Sequence, residues 1–248
     1  LRSLDCIETV PDSLEEAPAF SWARSGLMAL TGRADGPGFM CPLPLTACAD
    51  GALLALKVLA PDATFEREGA QWLTARSEIF GHQRRGAVSP GGSCRLLKCL
   101  DGYIALNLAR DDDWTLMPAW LGAEAADWSA IEARVLAMTM HDLVEQGRLL
   151  GLAVAPVVPP SRVPTPWHQV THRASMRLSS RRPVVVDLSS LWAGPLCGHL
   201  LQACGAEVIK VESAQRPDGA RNGPQAFFDL LNAGKREVML RIVADLSL

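Results

Sequence analysis

The residues whose spacing suggests chemistry follow an apolar run near residue 185. Val184 to Leu188 is apolar except for Asp187, and the triplet Ala193-Gly194-Pro195 comes shortly after it. Gly194 permits the dihedral angles of a tight turn, and Pro195 suits the first position of a helix, where its missing N–H costs nothing. Free N–H groups and the dipole of a helix N-terminus favour phosphate. The spacing therefore predicts a tight turn between a strand and a helix.

The elements that position this turn form a strand, a helix and a second strand. We predict a buried parallel strand at Val184–Leu188, a helix that ends near Cys204, and a strand at Val208–Val211. Gly205 stands where a left-handed helix cap is expected. Such a βαβ unit opens many nucleotide-type folds, and the predicted fold class is accordingly α/β and Rossmann-like.

The stretch from Arg182 to Ile242 resembles the N-terminal signature of the CaiB/BaiF, or family III, CoA-transferases. In that family a strand ending D-L-S leads into A-G-P, then G-A-E-V-I-K-V-E, then F-x-x-L-N-x-G-K-R. The matching positions are Asp187 to Ser189, Ala193 to Pro195, Gly205 to Glu212 and Phe228 to Arg236. The resemblance implies the α/β fold of that family, with a smaller α+β domain.

The resemblance also implies a CoA-binding site at the predicted turn, where backbone groups of family members hold the cofactor. The matching positions are Leu191, Trp192, Ala193 and Gly194. Trp192 has a core position as an equal alternative, since an aromatic residue at a strand end usually packs. Ser213 stands where some members carry an Arg that meets the nucleotide. The basic residues expected to replace that Arg are Arg216, Arg221 and Lys235.

A carboxylate nucleophile is a further implication of the resemblance. Family members use an Asp to attack an acyl-CoA thioester, which gives an acyl anhydride and releases CoA thiolate. That Asp comes four or five residues before a glycine that opens an apolar helix, and counting back from Gly51 gives Ala47 or Thr46. Asp50 is the carboxylate nearby and therefore the candidate catalytic residue. Its alternative role is the N-cap of the helix, for which Asp is among the best residues.

Looser matches to the same family lie earlier in the chain. A short helix is predicted over residues 21–32, and an almost wholly apolar, buried helix over residues 51–59. Asp101-Gly102 is a hairpin signal, and a helix followed by a strand is predicted within residues 138–158. The last two features resemble the small domain of the family.

These matches predict a rearranged or tandem domain order, because the D-L-S and A-G-P elements open ordinary family members but come late here. Residues 1–158 are expected to be the middle and C-terminal part of one unit, with a small domain at about 92–158. A Pro- and Arg-rich linker, 159–182, is expected to lead to 183–248, the N-terminal βαβ portion of a following unit. A partial fold of this kind, incomplete at its C-terminus, is expected to be inactive alone and to self-associate.

Three functions follow from the resemblance, and a fourth is disfavoured. The first is transfer of CoA between an acyl-CoA thioester and a small carboxylic acid. The second is a non-catalytic or partial homologue that at most binds CoA, which Ala47 and Thr46 favour. A 2-methylacyl-CoA racemase is less favoured, because the position of its required His is Ala17. A nicotinamide-dependent oxidoreductase needs G-x-G-x-x-G after the first strand, and Gly194 to Gly198 does not provide it.

Composition limits the partners that the chain is expected to have. Over 248 residues the formal net charge is −3, which disfavours a nucleic-acid or anionic-membrane partner. There is no run of eighteen apolar residues, and the first residues lack the pattern of a secretory signal. The seven cysteines have no C-x-x-C spacing, so no metal site is predicted. We expect a cytoplasmic homodimer that uses CoA and acyl-CoA as substrates and holds no permanent cofactor.

Overall fold

A computed structural model describes residues 18–41, 43–159 and 182–241. These residues fall into two compact units. The first unit comprises 18–29, 39–41, 43–82 and 182–241, and the second comprises 30–38 and 83–159. Apart from its two end residues, the predicted linker at 159–182 lies outside the described residues, as does Ala17.

The early part of the first unit is helical. Helix α1 (Pro18–Arg24) is followed by a 3-10 turn at Leu27–Ala29, which together occupy the place of the predicted helix at 21–32. The remaining elements are α2 (Leu45–Leu59), a 3-10 helix (Gly69–Leu73) and α3 (Ala75–Phe80). Helix α3 lies at the start of residues 76–92, which are rich in polar residues and glycine.

Helix α2 corrects two expectations from the sequence. It begins at Leu45, six residues before Gly51, and its N-cap position is Pro44, so the N-cap role of Asp50 was wrong. Its predicted burial was also wrong, because Leu59 is 63% exposed and Val58 is 50% exposed. Only one side of α2 packs against neighbouring helices, and an apolar sequence alone does not reveal that.

The second unit is an antiparallel sheet with helices. It contains β1 (Cys94–Cys99), β2 (Gly102–Asn107), α4 (Asp111–Thr115), α5 (Met117–Leu121), α6 (Trp128–Val135), α7 (Met140–Leu149) and β3 (Ala153–Pro156). Strands β1 and β2 form the hairpin predicted at Asp101-Gly102, and β3 pairs antiparallel with β2. The core is apolar and includes the fully buried residues Ile104, Leu106, Met117, Trp120 and Ile131. The buried Trp120 indole donates to Leu143 O at 2.9 Å, which ties α5 to α7.

The first unit ends in a parallel sheet. Its elements are β4 (Val184–Asp187), α8 (Ala193–Ala203), β5 (Glu207–Ser213), a 3-10 helix (Gly219–Asn222), α9 (Gln225–Asn232) and β6 (Arg236–Leu240). Strand order is β4-β5-β6, and both pairs are parallel. Gly205 follows α8 at φ +97°, the left-handed conformation predicted for its cap. The predicted βαβ unit and the α/β fold class are confirmed.

The predicted burial of the first parallel strand was wrong. Val184 is 60% exposed and Val186 is 58% exposed, whereas Asp187 is buried. Strand β4 is an edge strand, and successive side chains of a strand point to opposite faces of the sheet. The face that carries Asp187 lies against α8, and the described residues leave the opposite face open, so an apolar run here is not a buried one.

Candidate functional site

A cavity of about 440 Å³ opens at the carboxyl ends of the parallel strands. It is lined by Leu188 to Ser190 after β4, by Val211 to Ser213 at the end of β5, by Arg216 to Asp218, and by Leu240 of β6. In open α/β sheets, ligands bind in the crevice outside the carboxyl ends of the strands. This cavity, which we call the strand-end cavity, is therefore the candidate site of the first unit.

Asp218, one of the residues that line the strand-end cavity, belongs to a buried ion pair. Lys210 Nζ lies 2.7 Å from Asp218 Oδ2, and both side chains are completely buried. Lys210 also donates to Ser189 O at 2.5 Å. Lys210 thus joins strand β5 to the loop after β4. Burial alone would raise the pKa of Asp218, but hydrogen bonds from Lys210, Ala220 and Leu191 outweigh it and hold that pKa below its ordinary value.

Asp218 also fixes the backbone of the loop that leads to α8. Its Oδ1 accepts hydrogen bonds from Leu191 N and from Ala220 N, both at 2.9 Å. Leu191 has φ +70°, a left-handed conformation that costs a non-glycine residue about 1–2 kcal/mol. Its side chain is 51% exposed, so packing around the side chain does not explain the conformation. The hydrogen bond to Asp218 is the contact that holds it.

A second buried ion pair lies between β4 and α8. Lys235 Nζ is 2.9 Å from Asp187 Oδ2 and also donates to Pro195 O and to Asn232 Oδ1. Burial would raise the pKa of Asp187, but hydrogen bonds from Ser189 and Lys235 lower it below its ordinary value. The Lys235 ammonium therefore acts in the structure as a clamp between the end of β4 and the first turn of α8.

Two glycines of α8 allow this clamp to form. A Cβ on Gly198 would lie 3.0 Å from Lys235 Nζ and 3.2 Å from Asp187 Oδ2. A Cβ on Gly194 would collide with the Ser189 side chain, whose hydroxyl donates to Asp187 Oδ1. Positions 194 and 198 thus require glycine, because the backbone of α8 lies close to the side chains at the end of β4.

A third ion pair involves Glu212, another residue that lines the strand-end cavity. Arg221 Nη2 lies 2.7 Å from Glu212 Oε1 and 2.9 Å from Glu237 Oε2. Its guanidinium carbon lies 3.8 Å from the ring centroid of Phe228. The hydrogen bonds from Arg221 are the main reason that the pKa of Glu212 lies below its ordinary value. Both carboxylates that face the cavity, Glu212 and Asp218, are consequently matched by a cation.

The predicted CoA-binding residues occupy different places around this site. Arg216 lines the strand-end cavity, with its side chain exposed, whereas Leu191 is not among the lining residues and lies next to Gly219. Trp192 stacks on Phe227 with ring centroids 5.5 Å apart, and it packs against the buried cluster of Ala220, Phe227, Phe228 and Leu231, as its alternative role required. Ala193 and Gly194 begin α8. Arg221 and Lys235 are paired with carboxylates, and the predicted role of all these residues in CoA binding stays a prediction.

Asp50 lies away from the strand-end cavity, in the interior of α2. Its Oδ1 accepts a hydrogen bond from Ala70 N at 2.7 Å. Gly69 packs directly against the backbone of Ala49 and Asp50, where a Cβ would collide. Asp50 thus caps the 3-10 helix at Gly69–Leu73, an element from a different segment. Its proposed catalytic role stays a prediction.

The sequence reasoning missed Asp218 and Lys210, the most buried charged residues of the site. One signal was present, because Lys210 lies inside an apolar strand between Ile209 and Val211. A lysine in a buried strand needs an anionic partner. That argument predicts a carboxylate nearby, although it does not say which one.

Some site types find no support in the described residues. No group of three or more His, Cys, Asp or Glu side chains in residues 18–41, 43–159 and 182–241 is arranged to hold a metal ion. None of the helices in these ranges is long and apolar enough to cross a membrane. The strand-end cavity is instead lined by apolar and hydroxyl side chains, by the paired carboxylates Glu212 and Asp218, and by the exposed guanidinium of Arg216.

Comparison with known proteins agrees with the resemblance found in the sequence. Residues 183–246 match the sequence model described as CoA-transferase family III. The chain is also 27% identical over 210 residues to the protein named "Probable CoA-transferase Rv1866" of Mycobacterium tuberculosis. That match covers 55% of this chain and 26% of the relative, so the chain spans about a quarter of the relative's length. The segment that builds the parallel sheet and the strand-end cavity is therefore similar to CoA-transferase family III.

Proposed function

We propose that this chain is part of a CoA-transferase of family III, of the CaiB/BaiF type, and that the strand-end cavity binds CoA or acyl-CoA. The family match, 183–246, includes all the residues that line the cavity, which run from Leu188 to Leu240. The observation that carries the proposal is the position of this cavity at the carboxyl ends of β4, β5 and β6. The domain order inferred from the sequence remains a prediction.

Arg216 is the proposed contact for the phosphates of CoA. Its side chain is exposed at the cavity, and the other charged lining residues, Glu212 and Asp218, already have cationic partners. Arg221 and Lys235 are engaged with carboxylates, so we propose that they shape the site instead of meeting phosphate directly. The half-exposed Leu191 side chain would offer apolar contact to the ligand.

The proposed reaction is transfer of CoA between an acyl-CoA thioester and a small carboxylic acid. An Asp carboxylate attacks the thioester carbonyl, the carbon–sulfur bond breaks, and CoA leaves as its thiolate while the acyl group becomes an aspartyl anhydride. Asp50 is the candidate for this role by position. Asp50 Oδ1 accepts the hydrogen bond from Ala70 N, so Oδ2 is the oxygen that would attack the thioester.

The second candidate function is a CoA-binding homologue without transferase activity. The capping contact between Asp50 and Ala70 favours it, because this contact gives Asp50 a structural role that needs no catalysis. Ala47 and Thr46 at the expected position of the nucleophile favour it too. Both candidates place CoA in the same cavity, so they differ only in the chemistry after binding.

Homodimer formation and a cytoplasmic location are further parts of the proposal, and both come from the resemblance. The open face and edges of the parallel sheet support association, since Val184, Val186, Met239 and Leu240 are exposed. Sedimentation velocity over a range of protein concentrations tests the association. A single monomeric species at all concentrations would contradict it.

Titration calorimetry with CoA tests the proposed site. We expect Arg216→Ala to weaken CoA binding by about tenfold, because a charge-assisted contact to phosphate is lost. Arg134→Ala is the matched control, since Arg134 is an exposed arginine on α6 of the second unit. Equal affinity for CoA in the two variants would remove Arg216 from the site. Mass spectrometry of the wild-type chain with acyl-CoA and short carboxylic acids separates the candidates, since only the transferase exchanges CoA esters.

A further inference from the structure

A second cavity of about 280 Å³ lies in the first unit, and it shares no lining residue with the strand-end cavity. It lies between α8, the 3-10 helix at Gly69–Leu73 and the segment that precedes that helix. Its polar and aromatic lining residues are Thr64, Phe65, Glu66, Trp72, His199 and Gln202. We call it the Trp72 cavity.

Two residues of the Trp72 cavity carry polar atoms without a partner. Trp72 Nε1 and Gln202 Oε1 are both buried, and neither has a hydrogen-bond partner among the described residues. Trp72 is only 4% exposed. Buried polar atoms in native proteins are nearly always paired, with protein, water or a bound group. Four such side-chain atoms occur in the described part of the chain, and two of them belong to residues of this one cavity.

The two unpaired atoms have opposite hydrogen-bonding character. The indole N–H of Trp72 is only a donor, and the side-chain oxygen of Gln202 is only an acceptor. A ligand that satisfies both must present an acceptor to Trp72 and a donor to Gln202. A carboxamide does so through its C=O and its NH₂, whereas a carboxylate presents acceptors alone.

The remaining lining residues favour a neutral ligand over an anion. Burial lowers the pKa of His199, which keeps its imidazole neutral at pH 7 and able both to donate and to accept. The Glu66 carboxylate interacts electrostatically with His199 and would repel an anion. The Lys235 ammonium also acts on His199, but it is already paired with Asp187. The Trp72 and His199 rings meet edge to face with centroids 5.3 Å apart, which gives the cavity an aromatic wall.

We propose that the Trp72 cavity is a binding site for a small neutral molecule with a primary carboxamide group. Trp72 Nε1 donates to the ligand C=O, and Gln202 Oε1 accepts from the ligand NH₂. Both atoms are buried, so binding requires a rotation of the Gln202 side chain that gives the ligand access to them. Its amide nitrogen makes a long hydrogen bond of 3.3 Å to Ala233 O, which offers little resistance to that rotation. The site does not depend on CoA binding.

Nuclear magnetic resonance of ¹⁵N-labelled protein with acetamide as the probe tests the site. The indole resonance of Trp72 is assigned as the one that disappears in Trp72→Phe. We expect this resonance to move in a saturable way, with a Kd in about the millimolar range for so small a probe. Acetate at the same concentration is expected to leave it in place.

Gln202→Leu tests the acceptor, because it removes the amide and keeps a similar side-chain volume. We expect it to weaken acetamide binding by about tenfold, whereas Gln146→Leu on α7 of the second unit leaves binding unchanged. A Trp72 indole resonance that does not respond to acetamide, or that responds equally to acetate, overturns the proposal. So does an unchanged response in Gln202→Leu. The wild-type titration decides the matter even if Gln202→Leu fails to fold.

Discussion

Asp218 and Lys210 form an ion pair in which both side chains are fully buried, with Lys210 Nζ 2.7 Å from Asp218 Oδ2. Asp218 Oδ1 accepts a hydrogen bond from Leu191 N, and Lys210 Nζ donates one to Ser189 O. The pair therefore joins β5 to the loop after β4 and to the 3-10 helix at Gly219–Asn222. Loss of one partner would leave the other as an uncompensated buried charge, which is more costly than loss of the pair as a whole.

Asp218→Ala is expected to destabilise the protein strongly. Breaking a buried pair by removing one partner costs about 3–5 kcal/mol, and here two backbone N–H groups lose their acceptor as well. Urea denaturation measures the loss. Asp62→Ala is the control, because Asp62 is exposed, and its effect is expected to lie within about 0.5 kcal/mol. A loss of stability for Asp218→Ala as small as that of the control would contradict the assigned role.

Leu191→Gly is expected to be more stable than Leu191→Ala by about 1 kcal/mol. Both variants remove the same half-exposed side chain, but only glycine adopts φ +70° without strain. Thermal denaturation of the two variants side by side provides the measurement. If alanine were equal to glycine, the left-handed conformation of residue 191 would not persist in solution.

Replacement of glycine by alanine is expected to destabilise the protein at Gly198 in α8 and to stabilise it at Gly51 in α2. Gly198→Ala places a Cβ 3.0 Å from Lys235 Nζ, and the buried ion pair with Asp187 leaves that ammonium little room to move. A loss of about 1–3 kcal/mol is expected, as for other overpacked sites. Gly51→Ala in α2 meets nothing within 4 Å and is expected to stabilise by about 0.5–1 kcal/mol. Urea denaturation of both variants tests the two expectations. A stabilising effect of Gly198→Ala would contradict the close approach of the α8 backbone to Lys235.

Acid is expected to destabilise the first unit through its buried carboxylates. The pKa values of Asp187, Glu212 and Asp218 in the folded protein are all lowered below their ordinary values. Their contribution to stability is therefore complete above about pH 4–5, where the unfolded carboxylates are ionised, and it is lost as the pH falls through the folded pKa values. The urea concentration at the unfolding midpoint should decrease as the pH is lowered from about 5 to about 2.

The variant Asp218→Asn identifies the part of this pH dependence that belongs to Asp218. Asparagine does not titrate, so the midpoint of this variant should fall less steeply with acid than that of the wild type. An identical slope in the two proteins would show that Asp218 has an ordinary pKa.

Asp50 is expected to act through its hydrogen bond to Ala70 N. Asp50→Asn keeps an acceptor of the same length and should change stability by about 0.5 kcal/mol or less, whereas Asp50→Ala should cost about 1–2 kcal/mol. Asp50→Ser should resemble alanine, because its shorter side chain does not reach Ala70. Chemical denaturation compares the three variants. A serine variant as stable as the wild type would exclude this contact as the stabilising one.

The sequence alone determined the local elements of this protein. The βαβ unit at 184–213 and the hairpin at Asp101-Gly102 were predictable, because strand runs, turn residues and a helix-capping glycine act over a few neighbouring residues. Arg216, which the family resemblance named as a candidate, lines the strand-end cavity, and its role in CoA binding stays a prediction. The family resemblance rested on these same short motifs.

Only the tertiary structure decided which charges pair and which apolar residues are covered. Lys235 meets Asp187 across 48 residues of sequence, and Asp50 meets Ala70 across 20, so neither partner could be selected by spacing. The exposure of Val186 and of Leu59 depends on which faces of the sheet and of the helix have neighbours, and the apolar character of a residue does not predict that. Long-range pairing and the coverage of faces are properties of the packed chain, because each depends on segments that meet only when the chain is folded.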